Sequence, residues 1–87
     1  MASRYIIFGK STCHFCVHAI DYCKASSKEY LYIDLEGRPD VIEEYKNFYN
    51  HETVPIILKN DLDSGLVSFI GGFSELTDLA EKETNSG

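Results

Sequence analysis

The stretch Arg4-Tyr5-Ile6-Ile7-Phe8-Gly9-Lys10-Ser11-Thr12-Cys13-His14-Phe15-Cys16 sets the reading of the whole chain. Its first part is β-branched and aromatic and stops at Gly9, the pattern of a short buried strand. After a loop with Ser11 and Thr12, the apolar or small residues Cys16, Ile20 and Cys23 recur at i, i+4 and i+7. That is one stripe of a helix running from Cys13 to about Ala25, with Thr12 as its predicted N-cap. A C-x-x-C pair therefore stands where a strand gives way to a helix. There the unpaired backbone N–H groups and the positive end of the helix dipole favour a thiolate, the nucleophilic form of cysteine. Cys16 lies one turn further in, close enough for an intramolecular disulfide yet less exposed. The expected division of labour is that Cys13 attacks and Cys16 resolves. Lys10 and His14 are the nearby cations that would favour the thiolate further, His14 only when protonated.

A C-x-x-C also begins many zinc sites, and zinc needs four ligands. The remaining candidates are Cys23, His14, His18 and His51, with no second C-x-x-C. His18 and Cys23 share the predicted helix with Cys16, whereas a structural zinc knuckle bridges two segments. The strand-to-helix placement thus favours a redox pair, and no metal ligand is assigned. Cys23 falls on the core-facing stripe, where a free cysteine acts as a small hydrophobe.

The rest of the chain alternates in the same way. Tyr30 to Leu35 reads as a strand with Leu31, Ile33 and Leu35 on one face. Pro39 sits where a first helical turn tolerates proline, and Val41, Tyr45 and Phe48 step by four and three, giving a helix that ends near Tyr49. Ile56 to Lys59 and Leu66 to Ile70 are two more strands, joined by an Asn- and Asp-rich turn that ends in Gly65. Gly71-Gly72 breaks the last strand, Ser74 is the predicted cap of a third helix with Leu76, Leu79 and Ala80 on its apolar side, and 83–87 is expected to be a frayed tail. The order is β-α-β-α-β-β-α, an α/β domain whose first two strands pair in parallel and whose last two form an antiparallel hairpin.

Composition narrows the partners. The 87 residues fit one domain spanning 1–87, and 8 Lys+Arg against 14 Asp+Glu give a net charge of −6, which argues against nucleic-acid binding. Three cysteines are too few for a disulfide-stapled scaffold and point to a reducing, cytoplasmic setting. The early apolar run Tyr5 to Phe8 is too short for a signal-peptide core or a membrane span.

Three motifs in this order carry a family resemblance: Cys13-His14-Phe15-Cys16 after the first strand, Thr53-Val54-Pro55 before the third, and Gly71-Gly72-Phe73-Ser74 before the last helix. From Arg4 to about Ala80 the chain resembles a glutaredoxin, a small member of the thioredoxin-fold family. The resemblance implies a four-stranded mixed sheet flanked by three helices, with Pro55 after a cis peptide bond and facing the cysteines. It implies a dithiol enzyme that reduces protein disulfides and glutathione mixed disulfides. Glutathione would be its co-substrate and no cofactor would be bound. The Val54 backbone would hold the cysteinyl unit of glutathione beside Cys13 by strand-like pairing, with Thr53 and Pro55 counted among the substrate-binding residues. Gly71 and Gly72 would allow close approach, and the N–H groups of Phe73 and Ser74 would take the α-carboxylate of the γ-glutamyl end. Lys10 would meet the glycyl carboxylate, and Phe15, where the family usually has tyrosine, would pack against the ligand.

The sequence departs from the family pattern at His14, where proline is usual, and at His51 and Glu52, where Arg, Gln or Lys commonly stand. An acidic Glu52 beside the glycyl carboxylate subtracts from binding unless it points away, leaving Lys10 as the main cation. These departures keep open a redoxin reduced by thioredoxin reductase and serving ribonucleotide reductase. A metal-binding module, either a zinc domain or a dimer holding a [2Fe–2S] cluster between two Cys13 residues and two glutathiones, is the alternative of another class. The expected partners are glutathione and disulfide-containing or glutathionylated proteins, met by a monomer.

Overall fold

Two-residue periodicity in the strands and three-to-four-residue periodicity in the helices sort the apolar side chains into two layers, one on each face of a single sheet. The structure, a computed structural model, describes residues 3–85. It runs β1 (Ser3–Gly9), α1 (His14–Ala25), β2 (Glu29–Asp34), α2 (Pro39–Tyr49), β3 (Ile56–Asp61), β4 (Val67–Gly71) and α3 (Phe73–Asn85). The four strands lie in the order β2-β1-β3-β4. β1 pairs parallel with β2 and antiparallel with β3, and β3 pairs antiparallel with β4. This is the expected α/β arrangement, a four-stranded mixed sheet with three helices in the thioredoxin-fold order. Among the described residues no helix is long and apolar enough to cross a membrane.

On one face Tyr5 and Ile7 of β1 and Ile57 of β3 pack with Ala19 and Cys23 of α1 and Leu76 of α3. On the other, Phe8, Ile56 and Leu58 pack with Tyr45 and Tyr49 of α2. The central strands β1 and β3 are thus covered on both sides. Ile7, Ile56 and Ile57 are fully buried, each worth roughly 1.5–3 kcal/mol relative to an exposed side chain.

Three local expectations are corrected, one in the α2 stripe and two at helix caps. In α2 the buried stripe is Ile42, Tyr45 and Tyr49, and Phe48 is 79% exposed. The ring of Tyr45 stacks on Phe8 at 4.4 Å and that of Tyr49 on Phe69 of β4 at 4.8 Å, and with Ile42 buried the inward side lies one residue on from Val41 and Phe48. The alternation of β2 stands: Ile33 and Leu35 pack on the α2 side, with Leu31 on that face 46% exposed, while Tyr30 and Tyr32 on the opposite face join the α1 layer. Thr12 does not cap α1, because the helix starts at His14, making Cys13 the N-cap residue, and the Thr12 hydroxyl donates instead to the Glu36 carboxylate at 3.1 Å. Ser74 does not cap α3 either: it lies inside the helix, which Gly72 precedes. The expected tail is helical over 83–85, and 86–87 lie outside the described residues.

Candidate active site

The loop between β1 and α1 is closed by the Cys13 N–H donating to the Lys10 carbonyl at 3.1 Å. Cys13 itself is extended (φ −89°, ψ 120°), and its carbonyl accepts the first helical bond, from Val17 at 3.2 Å, with no side chain capping the helix. The Cys13 thiol is half-buried and donates to the Val54 carbonyl across the sheet end at 3.7 Å. Cys16, one turn inside, is fully buried. A Cβ on Gly9 would stand 2.5 Å from the Cys16 sulfur, so the thiol fits only because the last residue of β1 has no side chain. The Leu35 N–H donates to the Gly9 carbonyl at 2.8 Å and fixes the end of β2 against it.

Burial pushes the Cys16 thiol up to about 12; a hydrogen bond from the Lys10 backbone works against this, while Cys13 and the charge of Asp34 add to it. Burial likewise raises Cys23, with Lys28 opposing, and raises Tyr32 to about 12, with Asp34 and the two cysteines adding. The native state therefore holds protons that the unfolded chain releases. Cysteine in the unfolded chain ionises near 9.0 and folded Cys16 near 12, so the folded form binds more protons between these values and stability falls as pH rises through that window. Melting of the reduced protein should shift to lower temperature as pH rises from 8 to 10.5. Oxidation of Cys13 and Cys16 to a disulfide should remove the Cys16 share and flatten the slope. Equal slopes for the two forms would contradict the burial of an un-ionised Cys16.

A second loop completes the site. α2 ends at Asn50, which takes the left-handed conformation (φ 52°), and the His51 N–H returns to the Lys46 carbonyl at 2.9 Å. Asparagine tolerates this geometry, and it turns the chain toward the sheet end. The segment then passes through a cis Val54–Pro55 bond into β3. On the far side Gly71, at φ +129°, lets the chain leave β4 for α3. The Gly72 N–H donates to Glu75 Oε1 at 2.6 Å, and the Leu76 N–H to the Gly72 carbonyl at 3.0 Å. Glu75 thus folds back over the helix start as in a capping box, occupying the space that a Cβ on Gly71 would need.

Between these loops runs a groove of ≈ 260 Å³, with Phe15, Thr53, Val54 and Pro55 on its walls and Gly72, Phe73 and Ser74 at its end. Seven of the residues singled out from the sequence meet there, and Cys13 reaches it through Val54. Lys10 is not part of the lining, and Gly71 acts from outside it. His51 and Glu75 complete the lining. From the sequence His51 is a candidate metal ligand and a departure from the family pattern, and Glu75 is assigned no role; the spacing Gly72 to Glu75 is the available signal for the latter. Gly9 was read as a strand end, and nothing local shows that a sulfur lies over it. A larger cavity of ≈ 490 Å³ between β4 and α3 involves neither active-site cysteine. Among the described residues no group of three or more His, Cys, Asp or Glu is arranged to hold a metal ion.

The mixed sheet, the dithiol at the start of α1 and the Val54–Pro55 segment against it define a thiol–disulfide oxidoreductase of the thioredoxin fold. The family Glutaredoxin matches residues 5–62, and the chain belongs to it. The solved structure of a dithiolic glutaredoxin of Trypanosoma brucei brucei superposes with a TM-score of 0.70 at 27% identity, over 91% of this chain and 78% of that one. Glutaredoxin 1 of Francisella tularensis gives 0.64 at 24% identity over 97% and 99% of the two chains. A glutaredoxin of Archaeoglobus fulgidus gives 0.62 at 23% over 87% and 84%, and these last two likenesses speak for the fold alone. No curated protein sequence matches the chain.

Proposed function

We propose that the chain is a glutathione-dependent reductase of protein disulfides and glutathione mixed disulfides, with Cys13 as nucleophile and Cys16 as resolving thiol. The observation that carries this reading is the contact of the Cys13 thiol with the Val54 carbonyl, at the side of a groove that leads to the N-terminus of α3. When Cys13 gives up its proton it vacates that carbonyl. The carbonyl is then free to accept the backbone N–H of a cysteinyl unit laid along Thr53 and Val54, as in strand addition. The Cys13 sulfur attacks the substrate disulfide, its S–S bond breaks, and the leaving thiolate takes a proton. The mixed disulfide is resolved by Cys16 or by a thiolate of glutathione.

The environment of Cys16 suits the second step. Its hydrogen bond with Cys13 and the charge on Cys13 both hold its proton in place. Both influences vanish once Cys13 is bound in a disulfide, so Cys16 becomes easier to ionise when it is needed. The proposal places the protein in the cytoplasm, acting as a monomer without a bound cofactor.

The test is turnover of a glutathione mixed disulfide with glutathione, recycled by glutathione reductase, as the only electron source. Steady turnover that rises with glutathione concentration is expected. Turnover supported by thioredoxin reductase and not by glutathione would replace this electron source with the other.

A further inference from the structure

The loop that carries the nucleophile is tied to the fold at few points. Its first end is fixed where the Leu35 N–H meets the Gly9 carbonyl, and its last where the Cys13 carbonyl accepts from Val17 in α1. Between them, the bond from the Cys13 N–H to the Lys10 carbonyl closes the loop on itself and anchors it to no other element. The Cys13 thiol reaches Val54, but that bond is lost as soon as the thiol ionises or enters a disulfide. Among the described residues, the side-chain bond that then still holds the loop runs from the Thr12 hydroxyl to Glu36, at 3.1 Å to Oε1 and 3.2 Å to Oε2.

Glu36 stands on a firm base. It lies in the turn after β2, which the Arg38 N–H closes on the Leu35 carbonyl at 2.9 Å. Its own N–H donates to Asp34 Oδ1 at 3.0 Å, and Asp34 is registered opposite Gly9 in the pairing of β1 with β2. The Arg38 guanidinium is taken by Asp40 at 3.3 Å, which leaves the Glu36 carboxylate to Thr12. A hydroxyl donating to a carboxylate makes a charge-assisted bond, stronger than one between neutral groups. Both side chains are exposed, which keeps the effect of the bond to a few-fold.

We infer that Glu36 is a positioning residue for the resolving step: through Thr12 it holds the loop so that Cys13, once joined to substrate, stays aimed at Cys16. This rests on the thiol–disulfide reading of the dithiol. Attack on an external disulfide tolerates a loose loop, because the substrate approaches Cys13 wherever it stands. Resolution does not, because Cys16 is fully buried in α1 and cannot follow a displaced partner. In that step the Cys16 sulfur bonds to the Cys13 sulfur and the Cys13–substrate S–S bond breaks. The substrate sulfur leaves with the electron pair and takes up a proton, matching the one that Cys16 releases.

Pre-reduced protein, freed of reductant, is mixed with a large excess of a peptide disulfide, and acid quenching with mass spectrometry follows the Cys13 adduct as it forms and decays. Thr12→Val, which keeps the shape and loses the donor, is expected to slow adduct decay by about three- to tenfold and to leave adduct formation within about twofold. Thr12→Ser, which keeps the donor, should restore decay to within about twofold. In a Glu36→Ala background Thr12→Val should change decay by less than about 1.5-fold, since the bond is already gone, and this comparison cancels whatever the Glu36 charge does to the sulfurs. Unchanged decay in Thr12→Val, the same loss in both backgrounds, or a loss that Thr12→Ser shares would overturn the proposal. Absence of any Cys13 adduct in the unaltered protein, with the peptide left oxidised, would instead overturn the dithiol reading beneath it.

Discussion

Cys13→Ser is expected to abolish reduction of both protein disulfides and glutathione mixed disulfides, while Cys16→Ser abolishes the first and spares the second. A serine hydroxyl is not appreciably ionised near neutral pH, so the loss at position 13 should exceed about a thousandfold. Position 16 differs because its sulfur is fully buried and holds its proton to about 12, and no external disulfide can reach it while Cys13 stands in front. Its role begins only after Cys13 is tied up. On the proposed reading glutathione takes its place when the trapped group is small, since the groove beside Cys13 is open to solvent. A trapped protein covers that groove, and only an internal thiol can then release it. Mass spectrometry of the Cys16→Ser protein after exposure to a protein disulfide should show an accumulated covalent adduct on Cys13. Equal loss of both activities in Cys16→Ser would remove the resolving role, and an adduct on Cys23 would reassign the chemistry altogether.

What could be read in the sequence was whatever depends on neighbours along the chain. The β-branched and aromatic run of β1, the alternation of Tyr30 to Leu35 and the placement of Cys13 and Cys16 at a strand-to-helix junction are local signals, and they carry the strands and the dithiol. The errors share a physical cause. Val41, Ile42, Tyr45, Phe48 and Tyr49 fill two overlapping helical stripes that share Tyr45, and contacts from other elements, the burial of Ile42 and the stacking of Tyr49 on Phe69 of β4, choose between them. Thr12 and Ser74 are good capping residues standing one and two positions from where the helix boundary falls, and the boundary is set by how the flanking strands end. The groove was legible residue by residue but not as a complete lining: Lys10 is close to Cys13 in sequence and absent from the lining, whereas His51 and Glu75, 24 positions apart in the numbering, meet across Gly72.

Gly9→Ala should damage the resolving step more than the attacking one, and it should do so through packing rather than charge. An alanine Cβ would lie 2.5 Å from the Cys16 sulfur and 3.1 Å from its Cβ, with the Tyr32 ring edge at 3.5 Å behind. The sulfur cannot simply swing aside, because Cys16 is fully buried and its alternatives within a helix are restricted to a few rotamers. Either α1 moves away from β1 or the cysteine leaves its well. Overpacking of this kind typically costs about 1–3 kcal/mol, which for a domain of this size lowers Tm by roughly 5–20 °C. Cys13 sits beyond the helix start, held by the Lys10 and Val54 carbonyls rather than by Gly9, and keeps its access to the groove. Deglutathionylation, measured below the lowered melting temperature, is therefore expected to persist while reduction of protein disulfides falls at least about tenfold, following the displaced Cys16. Combining Gly9→Ala with Cys16→Ala, which removes the clashing sulfur, should recover most of the lost stability. A Gly9→Ala protein with unchanged Tm and unchanged disulfide reduction would mean that the close fit of Cys16 against β1 has no part in holding the dithiol.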